Sequence, residues 1–163
     1  MPAGLLPIAA PDGAAALTEP EVVTEAFLAA MAASDIAGAA ALLATDVTYV
    51  NVGLPAIRGR ERVARFLGGL ARPGRSFEVY LHAISVQGPV VLTERTDVIV
   101  VGPFRAQFWV WGRFDVHDGE ITLWRDSFDY LDLLRAAARG VVGIVAPGFR
   151  PGPPSGADAA PGR

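Results

Sequence analysis

The sequence predicts one α+β domain in which a curved sheet, mixed or antiparallel, packs on N-terminal helices and leaves an apolar pocket at its concave face. Two observations lead to this prediction. Apolar residues recur at helical spacing early in the chain, whereas four long segments rich in β-branched and aromatic residues follow one another from Phe77 onward. Gly-Pro and Asp-Gly pairs separate these segments, which is typical of an antiparallel meander.

The predicted helices begin and end at recognisable capping residues. Thr18 to Glu21 has the Thr-x-x-Glu spacing of a capping box with proline in the first turn, which predicts that a helix follows. Ser34-Asp35 is expected to end that helix and to cap a second, short helix through Leu43. Helical periodicity predicts a third helix over 59–69 and a last one over 130–139.

The predicted strands are runs of β-branched and aromatic residues bounded by glycine or proline. They cover 47–51, 77–86, 90–101, 104–116 and 120–128. Because helices come first and an antiparallel meander follows, we expect the sheet to wrap over the helices.

The sequence predicts an N-terminal extension over 1–17, a single catalytic domain over 18–146 and a disordered tail rich in proline and glycine over 147–163. The start has prolines and lacks the charged region of a signal peptide. No apolar run approaches the roughly 20 residues that span a bilayer. The sequence therefore predicts a cytoplasmic protein that does not bind membranes.

The composition excludes several kinds of chemistry. All 14 basic residues are arginine and the cysteine count is 0, so a thiolate nucleophile, a Schiff-base lysine and a cysteine-ligated metal are excluded. A net charge of -3 with scattered arginines offers no surface for nucleic acid. His82 and His117 do not stand at His-x-x-x-His spacing, and no metal site is predicted.

Charged residues share a strand face with apolar ones at three places, which is informative because alternate residues of a strand are buried. The three sets are Val47, Tyr49 and Asn51; Arg95, Asp97 and Ile99; and Trp124, Asp126 and Phe128. If all three sets face the pocket, it holds one arginine, two aspartates, one tyrosine and one asparagine. The residues alone leave a structural Arg–Asp pair on a solvated face as an equal alternative.

Two carboxylates beside one guanidinium are neutral as a group when they share one proton. In a poorly solvated site one carboxyl is expected to stay protonated and the other, stabilised by arginine, to stay ionised. Such a pocket contains both a general acid and a general base.

Three separated segments carry a family resemblance. Thr93 to Val98 and, about thirty residues later, Ile121 to Asp129 closely resemble the catalytic strands of the limonene-1,2-epoxide hydrolases. Tyr49 to Asn51, followed by Leu54-Pro55 and Gly59-Arg60, is similar to that family's third segment. The resemblance covers roughly 18–139, which is most of the predicted domain.

The resemblance implies a cone-shaped fold shared with nuclear transport factor 2 and ketosteroid isomerase, a homodimer without cofactor, and hydrolysis of small hydrophobic epoxides, cyclic and terpene-like, to vicinal diols. It implies that Arg95 bridges two aspartates, that Asp97 protonates the epoxide oxygen and that Asp126 is the base. Tyr49 and Asn51 would hold the attacking water with Asp126. Shared parity with the aspartates predicts that the pocket wall includes Phe128, Trp124 and Ile99.

Two other functions remain open. A proton-transfer enzyme like ketosteroid isomerase or the polyketide cyclases would use one aspartate as base, and a non-catalytic module of the same fold would only bind a small molecule. Trp109, Trp111 and Arg113 alternate on one strand face. This pattern favours core or sheet-face packing, and a dimer interface or the pocket stays open as an alternative. The arginines of 58–75 are interpreted as a solvated helix face rather than a phosphate site.

Overall fold

The computed structural model describes residues 18–152 and 154, so the predicted extension over 1–17 and most of the predicted tail lie outside the described residues. The elements in chain order are α1 (Pro20–Ala32), α2 (Ile36–Ala41), β1 (Leu43–Asn51), β2 (Ile57–Arg58), α3 (Arg60–Gly68), β3 (Arg75–Gln87), β4 (Val90–Val101), β5 (Phe104–His117), β6 (Glu120–Ser127), α4 (Tyr130–Val145) and a short 3₁₀ helix (Pro147–Phe149). The predicted α+β class is confirmed.

All six strands form one curved sheet in the order β2-β1-β6-β5-β4-β3. The meander from β3 to β6 is antiparallel, as predicted, and β1 adds to its far side in parallel with β6. The sheet is therefore mixed. The parallel pairing sets Tyr49 beside Trp124 and Asn51 beside Asp126, so the predicted polar residues of two strands distant in sequence become direct neighbours.

Helix α1 packs across the sheet and forms the main core with it. Val23, Phe27 and Leu28 are fully buried, and the Phe27 ring meets the rings of Phe114 and Trp124 edge to face at 6.1 and 5.0 Å. Edge-to-face aromatic pairs add specific attraction to the apolar burial, which fixes how the helix sits on the sheet. This core therefore packs against Trp124, which lies in the part of the sheet that carries the candidate site.

Helix α4 packs closely against strand β5, and a small residue makes this close approach possible. A Cβ atom at Gly140 would lie 2.7 Å from the carbonyl oxygen of Arg105 and 2.8 Å from the ring of Phe104, so the helix approaches β5 only because that side chain is absent. Gly143 is also buried, and a Cβ atom there would lie 3.0 Å from Cγ of Arg150. Helix α4 continues to Val145, six residues beyond the predicted end at Arg139.

Of the two predicted helix caps, the structure contains the one at Asp35 and lacks the one at Thr18. Asp35 caps α2 as predicted, since its carboxylate accepts from the backbone nitrogen of Gly38 at 2.9 Å. The capping box at Thr18 is wrong: the N-cap of α1 is Glu19, whose side chain makes no capping bond. With Pro20 in the first turn, the Thr-x-x-Glu spacing falls one residue out of register with the helix start.

Tertiary pairing accounts for the remaining differences. Strand β1 starts at Leu43 rather than at 47 because Leu43 pairs with Ile121 of β6, and the two-residue strand β2 pairs with β1 where the sequence predicted only a loop. The first residues of the predicted tail are ordered: the Arg150 Nε donates to the carbonyl oxygen of Gly143 at 2.9 Å. Within the described ranges, the structure has no helix that is long and apolar enough to cross a membrane.

Candidate active site

A cavity of about 160 Å³ lies between the sheet and the helices and contains the predicted site residues. Seven of the eight predicted side chains line it, and these are Tyr49, Asn51, Asp97, Ile99, Trp124, Asp126 and Phe128. The exception is Arg95, whose guanidinium is 1% exposed and contacts both aspartates from within the protein. The cavity therefore presents carboxyl groups, whereas the positive charge that accompanies them is enclosed.

The wall is completed by apolar residues that the sequence did not identify. The helices contribute Met31, Phe66 and Leu133, the turn after α3 contributes Leu70, and the strands contribute Phe77, Phe108 and Val110. Strand parity alone could have found the last three. The helical residues come from α1, α3 and α4 and from the turn after α3, and only the packing of the helices on the sheet brings them together.

Arg95 joins two carboxylates that lie on different strands. Its Nε atom lies 2.9 Å from Asp97 Oδ1, and its Nη2 atom lies 2.7 Å from Asp126 Oδ1 and 3.3 Å from Asp97 Oδ2. A planar guanidinium provides donors in a fixed fork, so one side chain satisfies both carboxylates at once. Asp97 and Asp126 are 4% and 5% exposed, which places this ion-pair network in a poorly solvated region.

The electrostatics of this network favour one retained proton. Burial raises the pKa of Asp97 to about 6; the charge of Arg95 opposes this shift and the charge of Asp126 adds to it. Burial by itself lowers the pKa of Arg95, but the two carboxylates raise it above its ordinary value, so the guanidinium stays charged. With both aspartates ionised the group would carry one excess negative charge, and a proton on Asp97 removes it.

Asp126 has a second donor besides Arg95. The indole Nε1 of Trp124 donates to Asp126 Oδ1 at 2.9 Å, and the indole ring stacks on Tyr49 with centroids 4.0 Å apart. Two donors on different strands therefore fix the position of this carboxylate oxygen. Trp124 thus lines the cavity, as predicted, and also orients Asp126, a role that the shared parity of residues 124 and 126 could have suggested.

Tyr49 and Asn51 form a polar pair beside Asp126. The Nδ2 of Asn51 donates to the Tyr49 hydroxyl oxygen at 2.7 Å. Burial raises the pKa of Tyr49 above its ordinary value, and the nearby charge of Asp126 raises it further. The phenol is therefore neutral, and its own proton is available for donation to a molecule in the cavity.

Other polar residues singled out in the sequence lie elsewhere. His82 Nε2 lies 2.7 Å from Thr96 Oγ1, and Thr96 alternates with the residues that face the site. Arg60 bonds the carbonyl oxygen of Leu43 and Glu120, both at 2.6 Å, so it is an anchoring residue of α3 and not simply part of a solvated face. Within residues 18–152 and 154, no three His, Asp or Glu side chains are grouped as a metal site requires.

A curved mixed sheet with helices packed around a mainly apolar pocket defines a protein of the nuclear transport factor 2-like fold. One structure with this fold is an NTF2-like protein from Cytophaga hutchinsonii, with a TM-score of 0.60 at 18% identity over 71% of this chain and 94% of that chain. The family is narrower than the fold. Residues 18–139 match the family model of the limonene-1,2-epoxide hydrolase catalytic domain, and the chain belongs to this family. The resemblance stated from the sequence is confirmed.

Two relatives agree with this assignment. The chain is 47% identical over 127 residues to epoxide hydrolase EphG of Mycobacterium tuberculosis, covering 77% of this chain and 84% of that protein. It also superimposes on the structure of an M. tuberculosis LEH-like epoxide hydrolase with a TM-score of 0.79 at 44% identity, covering 83% of this chain and 96% of that one.

Proposed function

We propose that this protein adds water to small hydrophobic epoxides, cyclic and terpene-like ones included, and releases vicinal diols in one step of general acid and general base catalysis. The observation that carries the proposal is the bridge from Arg95 to Asp97 and Asp126 at the wall of an apolar cavity. An epoxide is strained, and its opening requires a proton at the oxygen and a nucleophile at the opposite face of a carbon atom.

Asp97 serves as the acid. Its raised pKa keeps a proton on the carboxyl group at mildly acidic pH, and this proton passes to the epoxide oxygen as the carbon–oxygen bond breaks. The developing alkoxide is thus neutralised as it forms. Arg95, still charged, then stabilises the carboxylate that Asp97 becomes.

Asp126 serves as the base for the attacking water. The carboxylate accepts one water proton while the oxygen of that water forms the new bond to carbon. The Tyr49 hydroxyl accepts from Asn51 and donates its own proton toward the water, which keeps one lone pair of the water directed at the substrate. Acid and base each contribute typically ~10²–10⁴-fold to the rate.

The wall of the cavity supports an apolar substrate. Aromatic and aliphatic side chains surround the carboxyl groups, and Phe108 and Phe128 meet edge to face at 5.7 Å. Among the described residues that line the cavity, the polar side chains all belong to the proposed water and proton machinery, so none of them is left to recognise a polar substituent. This supports hydrocarbon epoxides rather than hydroxylated ones.

The alternatives are less well supported. A proton-transfer enzyme like ketosteroid isomerase adds no water to its substrate, so it does not account for the polar pair of Tyr49 and Asn51 beside Asp126. A binding module needs no buried ionic network, which is costly unless every charge is paired.

Isotope labelling tests the reaction. With protein in excess over cyclohexene oxide or limonene oxide in ¹⁸O-water, we expect label in the diol of the first turnover, since water attacks directly. Unlabelled first-turnover diol with label in the protein would instead demonstrate a covalent carboxylate ester. If no epoxide is hydrolysed, the proposed function is wrong.

The quaternary structure and location are further proposals. We propose a homodimer that works without cofactor in the cytoplasm. The outer face of the sheet supports the dimer, because Trp111 and Leu92 are 48% and 49% exposed there and Trp109 packs against Trp111 at 4.7 Å. Sedimentation should give a dimer for the natural protein and a monomer for Trp111→Glu, and a dimer in both would place the interface elsewhere.

A further inference from the structure

The guanidinium of Arg95 crosses a strand to reach its second carboxylate. Arg95 lies on β4 and Asp126 on β6, and β5 lies between them in the sheet. The β5 residue at this crossing is Gly112, which is the direct cross-strand partner of Thr93 on one side and of Asp126 on the other.

Gly112 leaves room for the charged group. A Cβ atom there would overlap with Arg95 Nη1 and with Thr93 Oγ1, and would lie 3.1 Å from Cε2 of Phe114. Gly112 does not have a positive φ, so its backbone accommodates any residue. Space for the guanidinium, and not backbone conformation, is therefore what requires glycine at this position.

Thr93 holds the remaining nitrogen of the guanidinium. Arg95 Nη1 donates to Thr93 Oγ1 at 3.2 Å, while Nε and Nη2 are used by Asp97 and Asp126. Thr93 is fully buried, so no water replaces its hydroxyl if it is lost. The ring of Phe114 lies 6.0 Å from the guanidinium carbon and limits its movement on that side.

We propose that Thr93 and Gly112 are positioning residues that fix the orientation of the Arg95 guanidinium and thereby set the spacing of the acid and the base. The proposal rests on the proposed function for its catalytic consequence. Neither residue lines the cavity, so substrate affinity is not expected to depend on them directly.

The decisive variant is Thr93→Val, which keeps the branched shape and removes the acceptor. We expect kcat for cyclohexene oxide to fall about tenfold or more with KM changed less than about threefold, because a buried bond from a charged donor is lost. Thr93→Ser restores the hydroxyl and is expected to restore most of kcat. The matched control is Thr96→Val, the same change at another buried threonine of β4, whose hydroxyl contacts His82 instead.

A second measurement observes Arg95 without relying on activity. In protein labelled with ¹⁵N-arginine, the Nε–H signal of Arg95 is assigned by its absence in Arg95→Gln. We expect this proton to exchange slowly with solvent in the natural protein, Thr93→Ser and Thr96→Val, and at least about tenfold faster in Thr93→Val, because loss of the third contact lets the guanidinium open more often. Gly112→Ala is expected to behave like Thr93→Val where it folds.

The outcomes separate this proposal from the proposed function. If the natural protein hydrolyses epoxides and Thr93→Val keeps both kcat and slow exchange, the positioning role is overturned. An equal loss in Thr93→Ser would also overturn it, since the hydroxyl would then not be the cause. If no epoxide is hydrolysed at all, the proposed function fails, and the exchange rate of Arg95 still decides whether Thr93 holds it.

Discussion

The indole nitrogen of Trp124 donates to Asp126, two residues further along the same strand, at 2.9 Å. The indole ring is held between the stacked ring of Tyr49 and the edge of Phe27, so it has little freedom to turn away. Asp126 is consequently fixed by Arg95 from β4 and by Trp124 from its own strand. A base that must abstract a proton from water in one orientation benefits from two fixed donors, since reorganisation during the reaction is avoided.

Replacement of Trp124 by phenylalanine is expected to lower kcat about tenfold, since the ring packing is largely kept while the donor to Asp126 is lost. Steady-state kinetics on cyclohexene oxide measure the change. Trp109→Phe is the control, because Trp109 Nε1 also donates to a carboxylate, Glu94 at 3.3 Å, away from the cavity. Equal losses in both variants would contradict a specific role for Trp124.

Asp97→Asn and Asp126→Asn are each expected to reduce turnover by at least ~10²-fold, since each removes one side of the acid–base pair. Circular dichroism should show a retained fold. Asp115→Asn is the control, because Asp115 forms a similar pair with Arg113 outside the cavity. Substantial turnover by either active-site variant would remove that residue from the mechanism.

Arg95→Lys is expected to lose at least ~10²-fold in kcat, because a single ammonium cannot occupy the positions of both Nε and Nη2. Arg113→Lys provides a matched control: Arg113 bonds Asp115 through Nε at 2.8 Å and Nη2 at 3.2 Å, the same two-residue spacing on a neighbouring strand. Normal activity in Arg95→Lys would mean that charge alone suffices.

The pH dependence of kcat/KM follows from the raised pKa of Asp97. Because the acid must be protonated, activity is expected to fall about tenfold per pH unit above a pKa of about 6. Histidines titrate in the same range, so the profile should be repeated with both His82 and His117 replaced by asparagine. If the fall in activity at high pH disappears in that variant, a histidine and not Asp97 causes it.

Stability should also depend on Asp97. Its folded pKa of about 6 lies above the ordinary value of 3.8, so the folded state prefers the protonated form. The stability that this proton contributes is complete below about pH 4 and is lost as pH rises through about 6. The asparagine variant lacks this titration. In urea unfolding, the free energy of unfolding of Asp97→Asn minus that of the natural protein should therefore increase by about 1–3 kcal/mol from pH 4 to pH 7. If this difference in unfolding free energy is the same at pH 4 and pH 7, the pKa of Asp97 is not raised.

Strand periodicity was sufficient to decide which polar residues share a strand face, but not whether that face lines the pocket. Arg95 and Asp97 are two residues apart on one strand, and the alternation of side chains decides their common direction without knowledge of the rest of the fold. The same holds for Trp124 and Asp126. Periodicity does not show which strands are neighbours in the sheet. Strands β1 and β6 pair in parallel and are far apart in sequence, so no hairpin turn between them indicates the pairing.

For that reason the sequence analysis missed residues whose role depends on contact with another strand or helix. Gly112 looks in sequence like a weak point in a strand, and its meaning depends on a guanidinium that arrives from β4. Met31 and Leu133 reach the cavity from opposite ends of the chain, and only the packing of α1 and α4 brings them together. Helix α4 also extends past the predicted end at Arg139, and Gly140 and Gly143 are buried within the extension.

The Arg95 bridge has a consequence for repeated turnover. In the proposed reaction Asp97 loses a proton and Asp126 gains one, so the site ends each cycle with its net charge unchanged and its proton on Asp126 instead of Asp97. A guanidinium whose pKa is raised further by its two partners does not relay that proton. The return must run through water that enters the cavity as the diol leaves, which makes refilling of the pocket a step that resets the enzyme and also supplies the next nucleophile.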